Sequence, residues 1–334
     1  MINVGIIGYG YWGVNLLRNF YNTPNCNIQL VCDQRTERLD LVRKNYPNVG
    51  TTTSVDSLLN NKNIDAVIIV TPVSLHYPIA KKALQKGKHI LVEKPFTASV
   101  KQANELINLA IQKNLVIAID HTFLFTGAVR KIKNLVEIGE LGNIQYFDST
   151  RINLGLFQSD VNVIWDLAPH DISILNHLIS EKPQSVMATG RSHTANKIEN
   201  IAYMSVGYQS NFMAHFTCSW VSPVKIRRIL LGGDKKMVLY DDVEPTEKIK
   251  IYDSGYQIKT EQEKHRMLID YRTGDIHLPK IEQIEALSVM SRDFINAVES
   301  SSKPFVDGLA GLEVVKILEA AQKSISKGGK EIKL

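Results

Sequence analysis

The sequence predicts an α/β protein of two domains: a doubly wound parallel sheet over residues 1–120, then an α+β domain over 121–334 with an open, mostly antiparallel sheet. Three observations predict it. Short β-branched runs alternate with amphipathic helical stretches through the first third of the chain, which is the pattern of a parallel sheet covered on both faces. A glycine turn, Gly8-Tyr9-Gly10-Tyr11-Trp12-Gly13, separates the first such run from the first helical stretch. Beyond residue 120 strands follow one another quickly, with only one helix between them. The full length of 334 residues suits two cores better than one.

Taken in order, strands are predicted at Val4–Ile7, Ile28–Cys32, Ala66–Val70, His89–Val92 and Val116–Ile119. Between them lie the helical stretches Val14–Tyr21, Glu37–Asn45, Pro78–Lys86 and Val100–Gln112, with Gly87 placed as a helix stop. A helix over Gly127–Ile138 ends at Gly139. The strands Ile144–Asn153, Gln184–Gly190, Ala202–Tyr208, Phe212–Trp220, Ile226–Leu231, Lys236–Tyr240 and Lys248–Tyr252 follow, interrupted by a helix over Ile164–Ser180. The turns Tyr208–Asn211 and Gly232-Gly233-Asp234 favour antiparallel neighbours. Residues 253–280 show no period and are expected to form a long loop or arm. Helices over Ile281–Ser300 and Gly308–Ser326 are expected to close the second domain.

Composition narrows the class. The net charge is +5, but Lys and Arg are scattered in nothing longer than pairs, unlike the stripe that nucleic acid selects. Cys26, Cys32 and Cys218 have no CxxC spacing, which argues against a disulfide framework and structural zinc; no metal is expected. Met1–Gly8 lacks a basic leader and runs into the glycine turn, so it reads as a strand and not a signal peptide. Apolar runs such as Ile64–Val70 are too short to span a bilayer. A cytoplasmic protein is expected.

The glycine turn has the context that gives it meaning: a strand before it, a helix after it, and an acid at the end of the next strand. Gly8 permits the tight turn, Gly10 admits a pyrophosphate close to the backbone, and Gly13 permits close helix–strand packing. The helix N-terminus beyond offers free N–H groups and positive dipole. Asp33, twenty residues past Gly13, is where a carboxylate for the adenosine ribose hydroxyls belongs. This is the fingerprint of a Rossmann domain. Asp33 would repel a 2′-phosphate, so NAD is expected over NADP, although Arg35 and Arg38 temper that preference. Tyr9, Tyr11, Trp12, Gln34 and Arg35 are the neighbouring cofactor candidates. A methyltransferase or flavin protein could share the turn, but the downstream residues argue against both.

In a doubly wound sheet ligands bind beyond the carboxyl ends of the strands. Thr71-Pro72, with Ser74 and His76 following, and Glu93-Lys94-Pro95 lie at two such ends, so Thr71, Pro72, His76, Glu93 and Lys94 are expected beside the cofactor. Spacing alone does not separate a catalytic Lys94 from a lysine reaching for solvent. Further on, Asp166 and His170 stand four apart in Trp165-Asp166-Leu167-Ala168-Pro169-His170-Asp171 and share a face if that stretch is helical. Pro169 suits a first turn, which would start the helix just before it and leave Asp166 as an N-cap.

The ordered set Gly8–Gly13, Thr71-Pro72, Glu93-Lys94-Pro95, Asp166-x-x-x-His170, Pro304 and the helix beyond Gly308 resembles the glucose–fructose oxidoreductase, inositol dehydrogenase and MocA (Gfo/Idh/MocA) family over essentially the whole chain. The resemblance implies that Lys94 is the active-site lysine, often joined to Pro95 by a cis bond, and that Asp166 and His170 are its partners from the second domain. His170 would act as general base, Lys94 would stabilise the developing alkoxide, and Asp166 would orient the imidazole. Residues 8–20, Asn153-Leu154-Gly155 and Asp160–Asp171 look like the branch that oxidises nucleotide-linked amino sugars, including UDP-N-acetylglucosamine and UDP-N-acetylglucosaminuronate 3-dehydrogenases. Its product would be a 3-keto sugar nucleotide for cell-surface glycans.

A diphosphate needs cationic donors, and Arg151, Lys225, Arg227 and Arg228 are candidates, each with a plain reading as a solvated strand residue. Lys225 and Arg227 would share one strand face and Arg228 the other. Arg151 and Asn153 share a face leading toward the catalytic loop. His121 follows the last strand of the first domain and by family analogy borders the substrate; a hinge residue satisfied by backbone is the equal alternative. Thr126 stands where relatives commonly carry Asn. Three other readings stay open: a dehydrogenase of a free sugar, inositol or other polyol; a non-catalytic dinucleotide sensor; and an assembly scaffold. The open sheet face is expected to form a homodimer or homotetramer.

Overall fold

The computed structural model describes residues 1–155, 157–195, 197–257 and 270–334. They divide into two compact units, one of Met1–Thr126 with Ile284–Glu319, the other of Gly127–Gln283 with Ala320–Leu334. In the first unit β1 (Ile2–Ile7), α1 (Gly13–Tyr21), β2 (Cys26–Cys32), α2 (Thr36–Asn45), β3 (Gly50–Thr52), α3 (Val55–Asn60), β4 (Ala66–Ile69), α4 (Val73–Gln85), β5 (His89–Glu93), α5 (Val100–Lys113) and β6 (Ile117–Asp120) alternate, β3 and α3 being additions to the expected set. The six strands are parallel in the order β3-β2-β1-β4-β5-β6. The order reverses between β1 and β4, so the crevice beyond their carboxyl ends is the ligand position of this topology. Val4, Ile6, Val31, Ala66–Ile69 and Ile90–Val92 are sealed from solvent, which explains their near-continuous apolar runs. Ser99 caps α5 by accepting from the Gln102 N–H, and Gly87, at φ +75°, follows α4 as its stop.

The second unit contains α6 (Gly127–Glu137), β7 (Ile144–Leu154), α7 (Val163–Leu178), β8 (Ser185–Arg191), β9 (Ile201–Gly207), β10 (Met213–Ser219), β11 (Val221–Gly233), β12 (Met237–Asp241), β13 (Ile249–Tyr252), β14 (Gly255–Gln257), β15 (Asp270–Arg272), β16 (Ile276–His277) and the terminal β17 (Ile332–Lys333). Nine strands form one sheet in the order β16-β13-β12-β11-β7-β10-β9-β8-β17. Only the β10–β7 pair is parallel, so the sheet is mixed but mostly antiparallel. Along β8, β9 and β10 buried Val186, Ala188, Met204, Val206, Ala214 and Phe216 alternate with Met187, Tyr203 and Met213 on the open face.

Several expectations are corrected. The chain does not divide cleanly at residue 120. The helix expected over Ile281–Ser300 begins at Ala286 as α8 (Ala286–Ser300) and clusters with the first unit, where its Phe294 meets Phe20 of α1 edge-on at 6.1 Å. A hydroxyl pair, Thr23 and Ser291 at 2.7 Å, fixes the same contact. The final helix, α9 (Gly308–Ser326), contributes its residues through Glu319 to that unit. Helix α4 starts at Val73, five residues before Pro78; α7 starts at Val163, beside the Ile164 expected from its period and six residues before Pro169, so only the alternative start at Pro169 is overturned. Each proline lies inside its helix, because one missing N–H and its crowding are outweighed by the apolar face that the helix buries. The cap of α7 is Asn162, which accepts from Trp165 N at 3.2 Å, so Asp166 is not the N-cap. Within 253–280, β14 pairs with β15 and β16 extends the large sheet; the expected arm over 258–269 lies outside the described residues. No helix among the described residues is long and apolar enough to cross a membrane.

Candidate active site

The glycine turn carries the geometry that a dinucleotide demands. Gly8 has φ +101°, and a Cβ there would fall 2.3 Å from the Val70 carbonyl oxygen. A Cβ on Gly13 would fall 2.2 Å from the Gly8 oxygen, so α1 begins packed against the strand that feeds it. At Gly10 a Cβ would meet only the Arg35 guanidinium, at 3.8 Å, which leaves the turn open on the side where a pyrophosphate would lie. Asp33, 8% exposed, ends β2 and accepts from Tyr9 N at 2.7 Å. Arg35 grips the same carboxylate through its backbone N–H and its guanidinium, at 3.0–3.2 Å. Burial pushes Asp33 up, but the Arg35 guanidinium and the two backbone N–H groups outweigh it and hold the carboxyl below its usual range. The Tyr9 ring is buried, whereas Tyr11 and Gln34 are exposed.

The carboxyl ends of β4, β5 and β6 bring the other first-unit candidates to one edge of the sheet. The Thr71 hydroxyl, beyond β4, is buried and has no hydrogen-bond partner among the described residues. With the open Gly10 and the anchored Asp33, this orphaned donor fits the residues present to NAD. His76 is sealed from solvent, with ring nitrogens 2.9 Å from the Pro95 oxygen and 2.8 Å from the Thr71 oxygen. It therefore clasps the backbone of two strand ends. The Lys94–Pro95 bond is cis. The Lys94 ammonium is close enough to be felt at both Asp120 and His121. His121 is 1% exposed, and among the described residues neither ring nitrogen has a hydrogen-bond partner. Burial, then the charge on Lys94, pulls its pKa down to about 3, so the ring is neutral at ordinary pH.

In the second unit Asp166 and His170 lie on one face of α7, and the Trp220 indole donates to Asp166 Oδ2 at 2.9 Å. Arg151 points inward from β7, and its guanidinium is spent on Asp171, Nε to Oδ2 at 2.8 Å and Nη2 to Oδ1 at 2.6 Å, with Ser149 adding a third bond at 2.7 Å. Burial pulls the Arg151 pKa down, but the adjacent Asp171 more than offsets it and the guanidinium is held raised. Arg151 is thus an interior strut, contrary to the expectation of a cation presented to a diphosphate. Asn153 is half-buried farther along β7. Arg227 stands opposite Arg151 in the β11–β7 register, pairs with Asp242 at 3.4 Å, and its buried Nε has no hydrogen-bond partner among the described residues. Arg228 faces the other way and pairs with Asp241 at 2.8 Å. Lys225 is exposed and lies in the irregular stretch between Val221 and Ile226, so simple alternation does not carry from Arg227 to it. Thr126 closes the turn before α6 by donating to the Phe123 oxygen at 2.7 Å.

Sequence reasoning missed Asp120, Asp171 and Trp220. Each is bonded to a residue far away in sequence, and no local period announces such a pair. Asp120 ends β6 as the register partner of Glu93, and its Oδ2 accepts from the Trp12 indole at 2.8 Å.

Two family models match the chain: the oxidoreductase family NAD-binding Rossmann fold over residues 2–121 and the GFO/IDH/MocA C-terminal domain over residues 129–239. An uncharacterised oxidoreductase of Escherichia coli, YdgJ, is 32% identical over 70% of this chain and 64% of its own length, so the chain spans less than two thirds of that relative. UDP-N-acetylglucosamine 3-dehydrogenase of Acidithiobacillus ferrooxidans is 28% identical over 94% of both chains. A solved structure of that enzyme matches with a TM-score of 0.79 over 98% of each chain, at 26% identity. A parallel six-stranded sheet with a dinucleotide turn and both family models in order along one chain lead to one conclusion: this protein belongs to the Gfo/Idh/MocA family of NAD-binding oxidoreductases.

Proposed function

We propose that this oxidoreductase removes a hydride from C3 of a UDP-linked N-acetylamino sugar, giving a 3-keto sugar nucleotide. The observation that carries the substrate is the similarity to a UDP-N-acetylglucosamine 3-dehydrogenase over 94% of both chains. NAD, when bound, supplies the hydride acceptor. His170 takes the proton of the C3 hydroxyl at an imidazole nitrogen, since an ordinary imidazole is poised for that exchange near neutral pH. Asp166, tied to the Trp220 indole, favours the imidazolium that results. Lys94 offers its ammonium to the oxygen as negative charge develops there. The C3–H bond breaks with both electrons, the O–H bond breaks to His170, and the carbonyl forms between them.

His121 serves as a neutral partner for a sugar hydroxyl. Its buried ring nitrogens have no hydrogen-bond partner among the described residues, a cost of about 1–3 kcal/mol per unsatisfied group that a bound hydroxyl would recover. Lys225 and Arg227 are the candidates for the diphosphate, together with Asn153 for a neighbouring hydroxyl; Arg151 supports the strand from within. Self-association as a dimer or tetramer engages the open face of the large sheet, where Tyr146, Met187, Tyr203 and Met213 are exposed. The test is Lys94→Met. NADH affinity should stay within about threefold while kcat on UDP-N-acetylglucosamine falls about a thousandfold, the scale of losing one charge at a developing oxyanion. Unchanged kcat removes Lys94 from the chemistry.

A further inference from the structure

The first unit holds a buried carboxylate that the proposed chemistry does not use. Asp120 is 1% exposed at the end of β6. Two side chains donate to it: Trp12 Nε1 reaches Oδ2 at 2.8 Å, and the Thr122 hydroxyl bonds Oδ1. Trp12 is the last residue before the third glycine of the dinucleotide turn and the N-cap of α1. Lys94 follows Glu93, which stands opposite Asp120 in the β5–β6 register, and its charge is felt at the Asp120 carboxyl. Asp120 therefore touches the turn that receives the cofactor and feels the lysine that follows β5. Burial is the largest influence and holds Asp120 above the usual carboxyl range, against the opposing pull of the Thr122 and Trp12 bonds and the Lys94 charge. A carboxyl this deep is costly unless its oxygens are bonded, so the Trp12 indole and the Thr122 hydroxyl that donate to it hold it in place.

We propose that Asp120 is a positioning residue that holds the Trp12 indole, and with it the Gly8–Gly13 turn, in the conformation that receives NAD, while its charge anchors the Lys94 ammonium. The Trp12 bond fixes the turn before the dinucleotide arrives, so its loss is read as weaker cofactor binding. The charge on Asp120 fixes Lys94, so its loss is read in turnover. The second half rests on the reading of Lys94 given above; the first does not, because cofactor affinity is measured without any sugar.

The experiment measures NADH affinity by nucleotide fluorescence for Trp12→Phe, Asp120→Ala, the double variant and Asp120→Asn, with kcat and KM for NAD on UDP-N-acetylglucosamine for Asp120→Asn. Trp12→Phe keeps a ring but removes the donor, and Asp120→Asn keeps an acceptor oxygen but removes the charge. Each of Trp12→Phe and Asp120→Ala should weaken NADH about tenfold, the order expected for one buried hydrogen bond, and the double variant should be no weaker than either. Asp120→Asn should bind NADH within about threefold of the parent, with KM for NAD little changed and kcat at least about tenfold lower. NADH effects that multiply in the double variant, or an unaltered affinity in both single variants, overturn the link to the turn. An unchanged kcat in Asp120→Asn overturns the link to Lys94. Should Asp120→Ala fail to fold, Trp12→Phe and Asp120→Asn carry the test. If Lys94→Met keeps full turnover, the catalytic reading fails while the NADH measurements still decide the link between Asp120 and the turn.

Discussion

Replacing Asp171 by Asn should destabilise the second unit far more than an ordinary polar substitution. Arg151 and Asp171 are 3% and 2% exposed, and the carboxylate accepts two bonds from the guanidinium and one from Ser149. Removing its charge takes from the buried guanidinium the carboxylate that accepts two of its N–H groups, a loss of about 3–5 kcal/mol. At roughly 2–4 °C per kcal/mol for a body of this size, the midpoint of thermal unfolding should fall by about 6–20 °C. The assay is thermal and urea unfolding of Asp171→Asn beside the apolar pair Arg151→Met/Asp171→Leu. The pair should recover most of the loss, because two charges then leave the interior together. A loss below about 1 kcal/mol in Asp171→Asn would refute the argument that Arg151 is an interior strut. So would an Arg151→Met/Asp171→Leu protein of parent stability whose KM for the sugar nucleotide alone had risen a hundredfold, since Arg151 would then be a substrate contact.

Gly13→Ala sets a Cβ against the Gly8 carbonyl oxygen and should weaken NADH at least about tenfold in a fluorescence titration, with some loss of thermal stability. Asp33→Ser removes the carboxylate that occupies Arg35 and should raise the ratio of kcat/KM for NADP to that for NAD by about tenfold or more; steady-state kinetics with both cofactors check it. His121 is held to about 3 in the folded state against about 6.5 unfolded, so the unfolded chain binds the extra proton. Stability from this group is therefore full above about pH 6.5 and is lost as pH falls toward 3. Urea unfolding at pH 7 and pH 5 should show the parent losing about 2 kcal/mol more than His121→Gln.

The parts of the fold legible in the sequence are those written in local pattern. Gly8–Gly13 and Asp33 declare themselves because each glycine answers a steric demand within one turn and the acid falls at a fixed distance along a strand–helix–strand unit. Strand β4 is apolar throughout, and β1 and β5 are apolar over Val4–Ile7 and Ile90–Val92, because both faces are covered there. Strand β3, Gly50–Thr52, has no such run; its pairing is imposed by β2, and it escaped notice. Pro78 misled at α4, and at α7 Pro169 suggested a later start than the Ile164 that the helical period indicated, because a local rule about N–H groups says nothing of the tertiary face a helix gains by starting earlier. Asn162 caps α7 three residues before Trp165, a spacing that the more conspicuous Asp166 hid. The pairs Trp12–Asp120, Asp166–Trp220 and Arg151–Asp171 span from 20 to 108 residues and become visible only when the strands bring them together.

The central claim is that a nucleotide sugar is the hydride donor. It is tested most directly by the appearance of NADH absorbance with UDP-N-acetylglucosamine, beside free N-acetylglucosamine and myo-inositol, in the presence of a carbonyl-trapping reagent to pull the equilibrium. The account predicts a kcat/KM for the nucleotide sugar at least about a hundredfold above the others, the worth of one or two charged hydrogen bonds to the diphosphate. Equal kcat/KM on the free sugar or the polyol, or no NADH from any of them while NAD is demonstrably bound, would contradict it.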